Sequence, residues 1–519
     1  MSRESKFIVF VAVLASLLEI IDTSIVNVAI PSMMGNLGAT IEDISMVVTG
    51  YAIANAIILP LSAWLGNQFG RRRYYLDCIL IFTATSVACG FAPNLNFLIV
   101  FRILQGPADG ALLPTSQALI YEQFPKEKAG MAGAIFGMSV MIGPTLGPTL
   151  GGYLTDTLGW RSIFNVNLPL GLFAFFIGYL FIREPAHRLE TQSKAKESID
   201  YYGLLLLAIG IGCLQYALER GNADDWFASN NITLCALIAI TALPTFVWWE
   251  LRVEYPIMNL RLFKDRIVIS GVLLMASLGL FLYSLVFTLP VFIGRSFHYN
   301  ATQIGELFIP GSLLTAFVMP FVGKQLQKTD PRIFIGIGLI LVEVCCVMFA
   351  QTSVFTSREN ILHALYVRGI AMGFLFVPIN STILSQFKGV NLGQVSGLLN
   401  LSRQIGGSIG VAMVGTLFSW KNQQNYIDLA PHISLLNTQT QQALMQTQAA
   451  LSSKMTMALG SASPYAASVQ KLYERLQSQI FVMSFNQLMY TLAFAMLFAF
   501  IPLSILRLRK APVPVNDAH

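Results

Sequence analysis

Four ionisable residues stand inside two long apolar stretches, where charged side chains are costly and usually functional. Glu19 and Asp22 are three residues apart, and Arg102 and Asp109 are seven apart, so each pair lies on one face if its stretch is helical. Carboxyl groups in such surroundings can bind and release protons or hold a cation, and a nearby arginine favours their ionised form. This chemistry requires that the elements carrying the two pairs meet.

The composition places those elements in a lipid bilayer. The chain has 519 residues, of which 55% are hydrophobic and only 12% are charged, and its mean hydropathy is +0.62. Soluble domains have about 25% charged residues. The net charge of +6 does not indicate a nucleic-acid partner, because the basic residues sit in short segments between apolar runs. The six cysteines have no zinc or disulfide spacing, so we expect small apolar side chains and no metal or cofactor.

The apolar runs are long enough to cross a membrane, which takes roughly 20 residues each. They predict an all-α polytopic membrane protein of about fourteen spans, with the first run retained as a span because Glu19 and Asp22 interrupt it. Lys and Arg concentrate in alternate connecting segments, which predicts that both termini are cytoplasmic. The predicted spans are 7–30, 44–66, 74–92, 97–119, 130–152, 164–182, 201–218, 231–249, 267–293, 303–322, 333–350, 361–383, 396–419 and 484–506.

The fifth span is apolar but rich in glycine and proline, which bilayers tolerate when neighbouring helices satisfy the backbone. Gly143 and Gly147 are at helical spacing, so another helix can approach closely, and Pro144 and Pro148 each remove a backbone donor. We predict a kinked span that forms a moving seam between two helix bundles. Ordinary tight packing is the alternative.

Motifs in several spans resemble those of the fourteen-span drug:proton antiporters of the major facilitator superfamily, the EmrB/QacA-like group. They extend in order from about residue 10 to about residue 420. The motifs are LEIIDTSIVNVAIP at 18–31, RILQG at 102–106, GPTLGPTLGG at 143–152, WRSIFNVNLP at 160–169, LERGNADDWF at 218–227 and NLSRQIGG at 400–407.

The resemblance implies a major facilitator fold with two six-helix halves and two additional helices. It implies a proton-coupled exporter of amphipathic compounds or drugs that works by alternating access, with no cofactor. The predicted parts are an N-terminal six-span half at 1–183, a cytoplasmic linker with two inserted spans at 184–266, a C-terminal six-span half at 267–506 that includes an outer loop at 420–483, and a cytoplasmic tail at 507–519.

In this superfamily spans one and four face one cavity, so the two pairs form a predicted ladder. Glu19 and Asp109 both lie roughly 17 Å from the outer ends of their spans, at about 1.5 Å per residue. We expect Asp22 to pair with Arg102 and Glu19 to lie near Asp109, with the two buried acids exchanging protons. The alternative for Asp22 and Arg102 is a purely structural pair. In the fourth-span motif of this family, a small residue usually occupies the position that Asp109 has in this chain.

Two arginines in the second half extend this prediction. Arg368 corresponds to Arg102 in a weak internal repeat, and we expect it to hold a substrate anion or to pair with an acid of the other half. Arg403 lies about two turns inside the thirteenth span, where we predict a brace for the cytoplasmic gate. Glu343, in the eleventh span, has no role that the sequence predicts.

The segment AWLGNQFGRRR at 63–73 resembles the cytoplasmic gate motif of the superfamily. Gly70 permits a tight turn, and Arg71 is predicted to bind helix ends or neighbouring acids. The acid that is usual in this motif is Asn67 here, which puts the standard charge relay in doubt.

The outer loop at 420–483 is polar and contains two amphipathic helix patterns. The resemblance implies a docking surface for a periplasmic membrane-fusion adaptor, and a lid on the membrane surface is the alternative.

We predict a multi-pass inner-membrane antiporter rather than an enzyme, acting on small molecules and protons and not on nucleic acid. The chain lacks the GxxxxGK[ST] phosphate-binding motif. The alternatives are a dedicated exporter of one metabolite or organic anion, a proton-independent uniporter, and a membrane protein with no transport role.

Overall fold

The computed structural model describes residues 2–183, 200–254, 256–297, 299, 301–433, 437–455 and 464–506. The predicted linker residues 184–199 and the predicted tail 507–519 lie outside them. Long α-helices dominate, and each begins where a polar or glycine residue interrupts an apolar run. Ser2, Thr40, Asn94 and Ser357, for example, accept a hydrogen bond from a backbone N–H in the first turn of the helix that follows.

Thirteen long helices follow the first thirteen predicted spans in order. They are α1 Arg3–Leu37, α2 Ile41–Phe69, α3 Arg71–Gly90, α4 Leu95–Glu122, α5 Ala129–Leu158, α6 Asn167–Phe181, α7 Tyr201–Arg220, α8 Asn230–Glu250, α9 Arg266–Phe297, α10 Ala301–Gln325, α11 Pro331–Ala350, α12 Arg358–Leu384 and α13 Gly389–Leu429. Then come α14 Thr438–Met455, α15 Pro464–Leu497 and α16 Phe500–Ile505, of which α15 and α16 cover the fourteenth predicted span.

In the described part of the chain, twelve helical segments are long and apolar enough to span a membrane by composition. The two predicted spans that fall below this criterion are α3, which begins with three arginines, and α13, which has a polar outer end. Both are continuous helices packed inside the bundle, so the all-α polytopic prediction is confirmed.

Two groups of helices make up the bundle. Helices α1 to α6 pack mainly on one another, with α4 at the centre against α1, α2 and α3. Helices α9 to α13 and α15 form the second group, in which α9 and α13 make the most extensive contact. The pair α7 and α8 attaches through α7 to both α2 and α13, so α7 bridges the two groups.

The groups meet along α5 against α10 and α12, and along α13 against α2 and α4. At one end of this seam, which we call the basic end, lie Arg71, Lys126 and Lys324. Here the backbones of Gly130 in α5 and Gly323 in α10 touch, and a Cβ atom on either would collide with the carbonyl of the other.

The opposite end carries a helical projection. Helix α13 has 41 residues and is therefore about 60 Å long, twice the ~30 Å core of a bilayer. Its outer part pairs with α15 through Asn425, which donates to Ser484 at 2.9 Å and to Gln487 at 3.2 Å. Helix α14 packs on α15, so the two helix patterns predicted in the outer loop are both helical.

Candidate functional site

Asp22 lies at the centre of a saturated polar cluster in the first group of helices. Arg102 Nη1 donates to Asp22 Oδ2 at 2.6 Å. Asp22 Oδ1 accepts from Gln105 Nε2 at 3.2 Å and from Asn167 Nδ2 at 2.8 Å. The Arg102 guanidinium also lies over the Tyr51 ring, 3.9 Å from its centroid. The predicted pair therefore exists, and it ties α1, α2, α4 and α6 together with neither charge left unpaired.

Asp109 sits on the same face of α4, fully buried, in a cluster that is not saturated. Its Oδ2 accepts hydrogen bonds from Tyr51 Oη and from Asn55 Nδ2, the latter at 3.1 Å. Its Oδ1 is buried without a hydrogen-bond partner. The charged groups that act on Asp109 are both carboxyls, Glu19 and Asp22. Asp109 therefore lacks the basic partner that Asp22 has.

Glu19 is the second acid with an unused oxygen. It is 6% exposed, and its Oε2 has no partner. Among the described residues, Arg403 of α13 is the cation whose charge acts on it. Arg403 Nη1 donates to Tyr283 Oη at 2.9 Å, while its Nε is buried without a partner. Glu19 and Arg403 therefore face each other from the two groups of helices.

The structure places Arg403 at the level of the buried acids, whereas the sequence predicts a brace for the cytoplasmic gate. The next residue, Gln404, donates to the carbonyl of Ala52 at 3.3 Å, which sets this turn of α13 beside Tyr51. Arg403 thus lies at the level of the acids. Helix α13 begins to contact the first group of helices at Gly393, near its first turn. A residue two to three turns further along α13, such as Arg403, therefore lies deep in the seam between the groups.

A second polar cluster closes the seam on the side of the basic end. Gln117 of α4 donates from Nε2 to Asn380 Oδ1 of α12 at 2.7 Å. Its Oε1 accepts from Ser396 Oγ at 2.6 Å and from Asn400 Nδ2 at 2.7 Å, both on α13. All four side chains are at most 1% exposed. Both the oxygen and the nitrogen of the Gln117 amide therefore form hydrogen bonds with the opposite group of helices.

The predicted gate motif lies at the same end. Gly70 turns the chain between α2 and α3 with a φ of 87°, a conformation that favours glycine. Arg71 bonds to Glu122 at 2.5 Å, and Arg72 donates to the Ile182 carbonyl at 2.6 Å at the end of α6. Asn67 lines a cavity between α2, α4 and the start of α13.

The predicted seam glycines of α5 are placed differently from the sequence prediction. Gly143 and Gly147 pack against Ile20 and Ser24 of α1, within the same group of helices. The glycines of α5 that face the second group are Gly130, Gly133 and Gly137. Pro144 and Pro148 lie within one continuous helix. Glycine spacing signals close approach but does not say which helix approaches.

Arg368 lies apart from both clusters. It lines a cavity between α5, α10 and α12, and no acid among the described residues pairs with it, contrary to one of the two predicted roles. Glu343 is half-buried on α11, and its Oε1 has no partner.

Several residues of these clusters escaped the sequence prediction because they are neutral. Tyr51 and Asn55 are four residues apart in an apolar span, a signal that was available. Tyr283 and Gln117 are single polar residues in long spans. Nothing in their local sequence indicates partners more than a hundred residues away.

A bundle of spanning helices in two groups, with buried ionisable residues at the contact between them, defines a multi-pass membrane transport protein. Residues 12–411 match the Major Facilitator Superfamily. The chain belongs to this family, and the prediction of an all-α major facilitator fold is confirmed.

Two relatives are informative. The chain is 32% identical over 491 residues to the multidrug export protein EmrB of Haemophilus influenzae, covering 93% of this chain and 92% of the relative. It is 34% identical over 424 residues to the fatty acid resistance protein FarB of Neisseria gonorrhoeae, covering 81% and 82%. The resemblance to the EmrB-like group is confirmed.

Solved structures share the fold at low identity. The human organic anion transporter MFSD10 superimposes with a TM-score of 0.59 at 14% identity, covering 98% of this chain and 100% of that structure. An inward-facing bacterial homologue of the lysosomal transporter Spinster gives 0.58 at 14% identity, with the same coverage.

Proposed function

We propose that this chain is a proton-coupled exporter of amphipathic toxic compounds, working across a bacterial inner membrane by alternating access. The relatives named for multidrug export and fatty acid resistance support the direction and breadth of transport. The single observation that carries proton coupling is the pair of buried acids, Glu19 and Asp109, that each keep one oxygen without a partner.

An unpartnered carboxylate in a buried site is unfavourable, whereas its protonated form is neutral and less costly to bury. Glu19 and Asp109 are therefore the proposed proton carriers. Asp22 is bound to Arg102, Gln105 and Asn167, so its proposed role is to hold α1, α4 and α6 in place. A cationic substrate reaching the acids displaces their protons, and exchange follows without ATP.

Arg403 gives this exchange a connection to the second half of the fold. When Glu19 loses its proton, its carboxylate attracts Arg403 across the seam. When Glu19 is protonated, that attraction disappears. The proton thus alters a contact between the two halves, which is what alternating access requires.

The basic end is the proposed cytoplasmic end, because Lys and Arg concentrate on the cytoplasmic side of membrane proteins. Both termini are then cytoplasmic. The described state is closed at the cytoplasmic side by the Gln117 cluster. The projection of α13, α14 and α15 then lies on the periplasmic side, where it is the proposed docking surface for a membrane-fusion adaptor.

Everted membrane vesicles test the coupling. Respiration acidifies their lumen, and ethidium added outside should release lumenal protons in vesicles that contain the wild-type protein. Glu19→Gln and Asp109→Asn should abolish this release. Glu343→Gln is the matched control, since it removes a carboxyl outside the clusters. Transport of ethidium without proton movement would favour a uniporter.

A second candidate is the export of organic anions. The observation that favours it is Arg368, a buried cation that forms no ion pair with an acid in the described part of the chain.

A further inference from the structure

Arg368 is an isolated buried cation. It is 9% exposed, and its guanidinium makes no hydrogen bond or ion pair with any described residue. Its Nη1 is buried without a partner. The other three buried arginines of the described residues differ, because Arg102 is bound to Asp22, Arg220 to Asp224 and Arg403 to Tyr283.

The surroundings of Arg368 offset little of the cost of burying it. Removing an ion from water is unfavourable in a protein unless a partner neutralises it. The Phe308 ring, 5.4 Å from the guanidinium, makes a cation–π contact that offsets only part of this cost. Among the described residues, the Cys345 thiol is the ionisable group that acts on Arg368, and it is not an acid that pairs with it. A bound anion would supply the missing compensation.

A narrow cavity of ≈ 10 Å³, about enough for one water molecule, opens beside Arg368 in the described state. Its polar lining comes from Ser312 and Thr315 of α10, whose hydroxyls donate to backbone carbonyls of their own helix at 3.1 and 3.0 Å. The guanidinium is therefore the donor that a ligand would meet. The apolar lining consists of Met141, Phe308, Leu365 and Met372.

The shape of this lining selects the ligand. A guanidinium presents two parallel N–H groups that match a carboxylate, and methionine side chains adapt to flexible apolar chains. Any ligand larger than water must widen the cavity by moving α5 away from α10 and α12, and a single chain requires less widening than a two-chain lipid. Met141 belongs to α5 and the other lining residues to α10 and α12, so a ligand here would touch both halves.

We propose that the Arg368 cavity is the subsite for the carboxylate of a single-chain amphipathic anion carried by this transporter. The proposal rests on the exporter function but uses a site separate from Glu19 and Asp109. A zwitterionic or anionic substrate thus finds its counter-charge in the second half of the fold, while protons are exchanged in the first half.

The test compares two amphiphiles of equal chain length, decanoate and decyltrimethylammonium, binding to the purified full chain by calorimetry. Arg368→Gln should weaken decanoate binding by about 10-fold to 100-fold, the loss of a charge-assisted hydrogen-bonded pair. It should leave decyltrimethylammonium binding unchanged. Arg358→Gln removes the same charge from the exposed start of α12 and should change neither.

A second variant tests the same cavity independently, in case Arg368→Gln fails to fold. Met141→Trp fills the cavity from the opposite half without altering the cation, and it should also lose decanoate binding. Equal decanoate affinity in wild type and in folded Arg368→Gln would overturn the proposal, as would equal weakening of both amphiphiles. Competition by phosphatidylglycerol in nanodiscs, dependent on Arg368, would assign the subsite to a lipid headgroup and overturn it as well.

These outcomes are separable from those of the exporter function. Decanoate binding is measured without a proton gradient. If binding depends on Arg368 but no variant affects proton release, the subsite stands and the coupling fails. If Glu19 and Asp109 control proton release while decanoate binding does not depend on Arg368, the coupling stands and the subsite fails.

Discussion

Gln117 of α4 and Asn380 of α12 join the two halves of the fold through a hydrogen bond of 2.7 Å between side chains 263 residues apart. Ser396 and Asn400 occupy the other end of the same amide. The amide of Gln117 and its three partner groups make these bonds with each other only while the halves are closed at this end. Opening must break these bonds together, so the cluster sets part of the free energy of the transition.

Replacing Gln117 with Leu should shift the protein toward the state open at the basic end. Three hydrogen bonds of about 1 kcal/mol each are lost, so the equilibrium should move by roughly 100-fold. Spin labels at Lys126 and Lys328 would report it as growth of the longer distance. Asn425→Leu, which breaks hydrogen bonds within the second half, should leave the distances unchanged. An unaltered distribution in Gln117→Leu would show that the cluster does not hold the closed state.

An alanine at position 130 should change the distance between the same spin labels far more than an alanine at position 147. A Cβ at Gly130 meets the Gly323 carbonyl across the halves, whereas one at Gly147 meets Ser24 within the first half. Gly130→Ala is therefore expected to favour the open distance between the same two labels. Gly147→Ala should lower the thermal stability but keep the wild-type distribution. If the two variants behave alike, the seam does not run where the structure places it.

The Asp22–Arg102 pair should dominate the stability of the first half. Asp22→Asn or Arg102→Met leaves a buried group uncompensated and should each lower the free energy of unfolding by about 3–5 kcal/mol. The double variant should lose less than the sum. Arg183→Met is the comparison, since its pair with Glu4 is exposed and should contribute at most about 1 kcal/mol. Unfolding followed by intrinsic fluorescence would measure these free energies. If the losses of the two single variants add up to the loss of the double variant, Asp22 and Arg102 are not directly coupled.

The projection at the opposite end carries an exposed row of large side chains on α15, namely Tyr465, Val469 and Tyr473. If an adaptor docks there, Val469→Glu with Tyr473→Glu should reduce drug resistance of cells severalfold. Proton release by the purified protein should be unaffected, because the row is remote from Glu19 and Asp109. A variant that retains full resistance would exclude this row as the docking surface.

The fold was largely predictable from the sequence because the length of an apolar run is a local property. Each of the fourteen predicted spans coincides with a helix, and twelve helical segments of the described residues are long and apolar enough to span a membrane. The depth of Asp22 and Arg102 in their spans, together with the family cavity, predicts their contact. The depth of Arg403 is harder to predict, because a helix of 41 residues offers no fixed end from which to count it.

The contacts between the halves were not predictable in the same way. Gly143 and Gly130 lie in the same apolar span, and only tertiary packing decides which of them meets α1 and which meets α10. The sequence around Gln117 and around Asn380 likewise does not indicate that the two side chains meet. Arg368 could be recognised as a buried cation, but its lack of an acidic partner depends on the packing of α5, α10 and α12.

The most direct test of proton coupling is proton release from the purified protein in unbuffered detergent when ethidium is added. The wild type and Glu343→Gln should release protons, whereas Glu19→Gln and Asp109→Asn should lose this release or show it clearly reduced, with ethidium still bound. Binding of ethidium without proton release in the wild type, or full release in both acid variants, would contradict the assignment of these two residues as proton carriers.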